Sequence, residues 1–265
     1  MGVIDANGLR TYVQDHGDGP PVVLVHGLGG TGTATWKHHI PELARGFRVV
    51  AYDLRGSGRT DVTPPYSLEQ LVRDLDALVR HFGFDSFGLV AHSLGGAIAL
   101  RYAADHGDRV AALVTAGAPT EFPPETRDAL RARAATVEQS GMASVAETVA
   151  TNGMAASFRE SHPQELRAYA ALLESNDPRG YAPLCRTTAE LHVTDVLERI
   201  SCPTVLVSGE HDAVAPPATA RRAASRISDA SFVLVEDCGH ILPWEKPEAL
   251  TAAARPLLER ALRQE

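Results

Sequence analysis

Short apolar runs at 22–25, 47–52, 87–91, 110–116, 204–208 and 232–235 are separated by longer segments of helical period, and this alternation constrains the fold more than any other feature. The runs are rich in β-branched residues and do not alternate polar with apolar. A strand with one wet face would alternate; continuous apolar character means that both faces are covered. Helices supply that cover. The clearest spans 67–82, where Leu68, Leu71, Val72, Leu75, Leu78, Val79 and Phe82 share one stripe and Ser67 and Gln70 have capping-box spacing. Strand and helix in regular succession predict an α/β fold with a mostly parallel central sheet and crossover helices. A hairpin opens the chain, with strands near 3–5 and 9–14 about Asn7-Gly8, a pair that accepts the positive φ of tight turns.

The rhythm stops over 119–195, where Ala-rich helical stretches follow one another with breaks at Pro123-Pro124, Gly141, Gly153, Pro163 and Pro178. This segment reads as a helical cap inserted between two strands. The expected division is a core of 1–118 and 196–265 with a cap of 119–195.

Bulk properties exclude several function classes. A net charge of -8, from 33 acidic and 25 basic side chains, leaves no basic stripe for a nucleic-acid partner. Cys185, Cys202 and Cys238 have no C-x-x-C spacing, so neither a disulfide framework nor a zinc site is expected, and the sparse count suits a reducing cytoplasm. The first ten residues lack the basic and apolar regions of a secretory signal, and no apolar stretch is long enough to span a bilayer. The expectation is a cytoplasmic protein without a membrane partner; a homo-oligomer stays open.

Chemistry is concentrated at strand ends. Ala91-His92-Ser93-Leu94-Gly95-Gly96 follows the run 87–91 and precedes an apolar helix, so Ser93 stands at the apex of a strand–turn–helix elbow. Such a turn exposes a hydroxyl at the carboxyl end of the sheet and requires small neighbours. Ala91 stands where the G-x-S-x-G pattern has glycine. Taken alone, Ser93 followed by glycines reads more often as a helix cap; the partners below make it the expected nucleophile. Leu94, next in the chain and at a helix N-terminus, offers one amide to an oxyanion hole. The loop His26-Gly27-Leu28-Gly29-Gly30 follows the run 22–25 and offers the Leu28 amide as the second. A phosphate loop is disfavoured there, because G-x-x-x-x-G-K-[ST] is absent and the turn lacks G-x-G-x-x-G.

A serine hydroxyl needs a base, and histidine has the suitable ordinary pKa. His240 follows the last strand run, on the same rim as the elbow. His26 and His92 read as wall or packing residues, and His38-His39 shows no metal spacing. The acid belongs after the run 204–208, where Gly209-Glu210-His211-Asp212 places Asp212 best, with Glu210 and Asp237 as alternatives. The chain order Ser93, Asp212, His240 is the one expected when an elbow serine is served by later loops. Asp53-Leu54-Arg55-Gly56-Ser57-Gly58-Arg59 reads as a structural turn.

These residues carry a family resemblance. Segments 26–30 with Trp36, 53–59, 91–96, 209–212, and Gly239-His240 with Glu245-Lys246-Pro247-Glu248 resemble the α/β-hydrolases over nearly the whole chain. The resemblance implies an α/β-hydrolase fold with an inserted cap and a serine catalytic triad that uses neither metal nor organic cofactor. Asn176-Asp177-Pro178-Arg179-Gly180-Tyr181-Ala182-Pro183-Leu184-Cys185, with Gly141-Met142, is similar to the cap of bacterial 3-oxoadipate enol-lactonases. That likeness implies a small lactone or ester substrate bearing a carboxylate, which Arg133 would receive unless it lies on a solvated helix face. The inserted segment departs from the enol-lactonase pattern in having no tryptophan. A general carboxylesterase, a carbon–carbon bond hydrolase, a perhydrolase and a non-catalytic small-molecule receptor are the alternatives.

Overall fold

The computed structural model describes residues 1–262. A hairpin, β1 (Gly2–Ala6) and β2 (Leu9–His16), leads into β3 (Pro21–Val25), two short helices α1 (Gly32–Thr35) and α2 (His39–Leu43), and β4 (Arg48–Tyr52). Then α3 (Leu68–His81), β5 (Phe87–His92), α4 (Leu94–Asp105) and β6 (Val110–Ala116) follow in strict alternation. Five helices come next without an intervening strand of the sheet: α5 (Pro124–Ser140), α6 (Ala146–Gly153), α7 (Ala156–Ser161), α8 (Pro163–Glu174) and α9 (Pro178–Ala189). The sheet resumes with β7 (Thr204–Gly209), α10 (Pro217–Ala224), β8 (Ala230–Val235), α11 (Leu242–Glu245) and α12 (Pro247–Leu262).

The sheet has 8 strands in the order β1-β2-β4-β3-β5-β6-β7-β8. Pairing is antiparallel at β1–β2 and β2–β4 and parallel from β4 to β8. The strand order reverses at β3, between β4 and β5, and open α/β sheets bind ligands beyond the strand ends at such a switch point.

The pleat explains the unbroken apolar runs of the inner strands, but not 232–235: that run lies in β8 at the edge of the sheet, where Leu234 is exposed, so it is not covered on both faces. Val23 and Val25 of β3 pack with α3 and α4 on one face, while Val22 and Leu24 pack with α2 and α12 on the other. All four are fully buried, each removing about 2 kcal/mol worth of apolar surface from water. The helical breaks fall at the punctuating residues. Pro124, Pro163 and Pro178 open helices, and Gly141 caps the end of α5. Proline suits a first turn because its missing N–H would have no helical acceptor there. Half of the capping box forms: Ser67 Oγ accepts from the Gln70 amide at 3.2 Å, but the Gln70 side chain turns to Asp74 instead of back to Ser67. Asp74 draws it away because that carboxylate is already fixed by the buried Arg55 guanidinium at 2.7 Å.

His39, at the start of α2, is buried edge-on against Trp36, and neither ring nitrogen has a hydrogen-bond partner among the described residues. Burial, with a smaller push from His38, lowers its pKa from 6.5 to about 3. The unfolded chain therefore takes up a proton as the pH falls below 6.5, whereas the folded chain does not until about 3. Stability from this site is complete above 6.5 and drains across that window, at up to about 1.4 kcal/mol per pH unit. Urea unfolding at pH 7 and pH 5 should show a smaller acid loss in His39→Leu than in the parent; parallel losses would contradict the assignment.

Candidate active site

Ser93 lies between β5 and α4 with φ 53° and ψ -121°, a left-handed backbone that costs about 1–3 kcal/mol for a residue with a side chain. The surroundings hold it there. Its amide donates to the Ala116 carbonyl at 3.0 Å, and its carbonyl accepts from the Gly96 amide at 2.8 Å. The crowding explains the glycines: a Cβ on Gly95 would stand 2.5 Å from the Val25 and His26 carbonyls, and one on Gly27 would stand 2.8 Å from Ser93 Cβ. Ser93 makes no capping bond to its own helix. Its Oγ lies instead 2.9 Å from His240 Nε2.

His240 sits in the loop after β8, and its other ring nitrogen, Nδ1, is 2.9 Å from Asp212 Oδ2. Asp212 follows β7 and is buried, with its second oxygen, Oδ1, accepting the amides of Val214 at 2.9 Å and Ala215 at 2.8 Å. An ionised Asp212 has only acceptors, so Nδ1 carries the proton and Nε2 presents its lone pair to Ser93. Three residues from three strand ends thus form one hydrogen-bonded chain. The alternatives to Asp212 are occupied elsewhere: Glu210 accepts the Asp237 amide at 3.0 Å, and Asp237 pairs with Ser157 and Lys246 at the surface.

The other histidines have scaffold contacts. His26 Nε2 accepts the Leu54 amide at 2.9 Å, and Nδ1 donates to the Gly27 carbonyl at 2.8 Å. His92 Nδ1 donates to the Ala116 carbonyl at 3.0 Å. Burial holds both below their ordinary pKa, His92 well below, so both stay neutral. Asp53 secures the turn after β4, accepting the Gly32 amide at 2.7 Å and the Arg59 amide at 2.9 Å.

Leu94 is the first residue of α4, so its amide has no helical acceptor. Leu28 lies on the wall beside Ser93, and its amide has no hydrogen-bond acceptor among the described residues. The roles of two residues escaped the sequence reading. Gly117 has φ 57°, and a Cβ there would stand 3.0 Å from His240 Nδ1 and 3.1 Å from Asp212 Oδ2. Only its place after a strand run could have drawn attention to it. Glu245, read from the sequence as a family marker, is buried and accepts the amides of Gly239 and Ile241, on either side of His240, both at 2.9 Å.

Ser93 and His240 open onto a cavity of about 370 Å³. Its wall is largely apolar, including Leu28, Phe122, Leu130, Val149, Tyr169 and Trp244. Arg133, from α5, is the one Lys, Arg, Asp or Glu on that wall among the described residues. Burial raises the pKa of the Tyr169 and Tyr181 hydroxyls and moves the Cys185 thiol up to about 11, and the nearby Arg133 charge opposes all three shifts. Arg133 has no carboxylate within salt-bridge range among the described residues. Trp244 of α11, outside 119–195, also lines the cavity and meets Tyr169 of α8 edge-on, with ring centroids 5.2 Å apart. No helix among the described residues is long and apolar enough to cross a membrane.

Residues 20–247 match the family described as alpha/beta hydrolase fold. The chain is 28% identical to 3-oxoadipate enol-lactonase 2 of Acinetobacter baylyi, over 92% of this chain and 90% of that protein. It is 27% identical to 2-hydroxy-6-oxo-6-(2'-aminophenyl)hexa-2,4-dienoic acid hydrolase of Metapseudomonas resinovorans, over 97% of this chain and 90% of that protein. A thermophilic esterase from Thermogutta terrifontis, solved with malate bound, superposes with a TM-score of 0.91 at 32% identity, covering 98% of both chains.

Proposed function

Because this chain belongs to the α/β-hydrolase fold family, we propose that it is a serine hydrolase cleaving a small ester or lactone that carries a carboxylate. The observation that carries the reading is the hydrogen-bonded run Ser93 Oγ, His240 Nε2, His240 Nδ1, Asp212 Oδ2, with both links at 2.9 Å. In this mechanism His240 Nε2 takes the Ser93 proton as Oγ attacks the carbonyl. The tetrahedral oxyanion then lies between the Leu28 and Leu94 amides, which develop their full strength only as charge forms. His240 gives the proton to the leaving oxygen, and an acyl-serine remains. Water deprotonated by the same imidazole attacks the acyl carbon, the carbon–Oγ bond breaks, and the proton passes to Ser93 Oγ as the acid leaves. Asp212 orients the ring and stabilises the imidazolium without taking its proton. The scheme calls on no metal or organic cofactor.

We assign 119–195 as a helical cap that forms much of the substrate wall over a core of 1–118 and 196–265. Arg133 is the proposed carboxylate receptor. An arginine without a carboxylate partner, facing an apolar cavity, presents forked donors that match a carboxylate. The relatives support this choice: one acts on a dienoic acid, one on an oxoadipate lactone, and the esterase holds malate, and each of these molecules contains a carboxyl group. A second reading, a carboxylesterase of neutral esters, has the T. terrifontis esterase at 32% identity in its favour.

A panel of carboxylate-bearing enol-lactones, saturated lactones and neutral p-nitrophenyl esters separates the two. Arg133→Met should raise KM for the anionic lactones by about 10–100-fold, the worth of a charged hydrogen bond, and leave neutral esters unchanged. Equal effects on both groups, or a parent preference for neutral esters, would favour the second reading.

A further inference from the structure

The backbone of the base is fastened to the inserted helices on both sides. His240 N donates to the Gly153 carbonyl at 2.7 Å, and Ile241 N reaches the same oxygen at 3.3 Å. Gly153 ends α6, so the main chain at the base rests directly on the segment that walls the cavity. Glu245 closes the other side. Its Oε2 accepts both the Gly239 amide at 2.9 Å and the Ala155 amide at 2.8 Å, and its Oε1 accepts the Ile241 amide at 2.9 Å. One buried carboxylate therefore ties the two residues flanking His240 to the segment between α6 and α7. The approach leaves no slack, because a Cβ on Gly239 would stand 2.6 Å from Ala155 N and 2.8 Å from the Gly153 carbonyl.

A carboxylate is suited to this position because all three partners are N–H donors and it brings acceptors only. Burial raises its pKa, and the bonds from Ala155, Gly239 and Ile241 pull the other way. A glutamine of the same shape would turn an NH2 group toward at least one N–H. That arrangement orphans a buried donor or swings the loop.

We propose that Glu245 is a positioning residue that locks His240 against the cap, so that the base is in register with Ser93 only while the segment 153–155 is seated. The inference rests on the serine-hydrolase reading above. Glu245 touches no reacting atom; it acts through the imidazole it places.

The test is steady-state kinetics on a p-nitrophenyl ester, normalised to folded protein by circular dichroism and denaturant titration. In Glu245→Gln, kcat should fall about 10–100-fold, the scale of a misplaced catalytic group, with KM within about twofold of the parent. Glu245→Asp keeps the charge with a shorter reach and should recover part of the loss. Ala155→Pro gives an independent arm if the glutamine variant does not fold. It removes the donor and sets a ring carbon against Glu245 Oε2, so it unseats the carboxylate from this segment, while the backbone itself, with φ -58° after Met154 with ψ 146°, accommodates proline. A kcat-borne loss there too supports the lock. Parent kcat per folded molecule in the glutamine variant, or in Ala155→Pro if that alone folds, overturns it, as does a loss borne by KM. Ser93→Ala is run alongside: if it kept parent turnover, the underlying reading would fall, whereas an inactive Ser93→Ala beside unimpaired lock variants removes only the lock.

Discussion

Ser93→Ala is expected to lower kcat on a small aryl ester by about 10⁵–10⁶-fold, the loss seen when a triad nucleophile is removed, while the protein remains folded. The loss is large because the serine is the bond-forming atom of the proposed route. With it gone, the oxyanion donors and the binding cavity can assist only direct attack by water. Folding should survive because alanine has the same Cβ and meets the same backbone demand at φ 53°. The one bond removed is that between Ser93 Oγ and His240 Nε2. Thermal unfolding should therefore lie close to the parent, and the stoichiometric burst of p-nitrophenol should vanish. Parent-like turnover in the alanine variant would remove Ser93 as nucleophile. A ligand-dependent rise in melting temperature with no product from the parent would instead support a receptor.

What was legible in the sequence was local. Continuous apolar runs expose a doubly covered sheet because the pleat sends neighbouring side chains to opposite helical layers, as Val22 and Val23 show. The elbow is legible because strand, serine and glycines are adjacent in the chain. Asp212 and His240 could be placed because parallel strands deliver their following loops to one rim. Gly117 was not legible: its role depends on His240 and Asp212 arriving beside it from far along the chain. Arg133 is a subtler case. Arg127, Arg131 and Arg133 share α5, yet the first two pair with Glu190 at the surface while Arg133 lines the cavity. Residues four apart share a helical face, and two apart they do not. The pattern therefore separates Arg133 from Arg131, but it cannot say which face meets the substrate. Glu245 was visible as a motif and silent as a function, since its partners are backbone amides that leave no trace in side-chain identity.

The second large effect is expected from Asp212→Asn, with kcat falling about 10⁴-fold and KM little changed. Asp212 Oδ2 accepts from His240 Nδ1, while Oδ1 is committed to the amides of Val214 and Ala215. Those two amides accept no reversal, so asparagine must keep its carbonyl oxygen toward them. Its NH2 then faces Nδ1 and can only donate. The imidazole answers by moving its proton to Nε2, the nitrogen that must be empty to receive the Ser93 proton. A ring in that tautomer still lies 2.9 Å from Ser93 Oγ, but it offers a donor where a base is required. The geometry is preserved and the chemistry is reversed, which is why loss of kcat should dominate. As the pH rises and serine deprotonation is assisted by hydroxide, the variant should regain rate. A Ser93-directed fluorophosphonate reports the same point from a single turnover: slow labelling of Asp212→Asn, accelerating with pH, is the expected result. Labelling at the parent rate would mean that His240 takes its tautomer from some other group and that Asp212 is only a loop anchor.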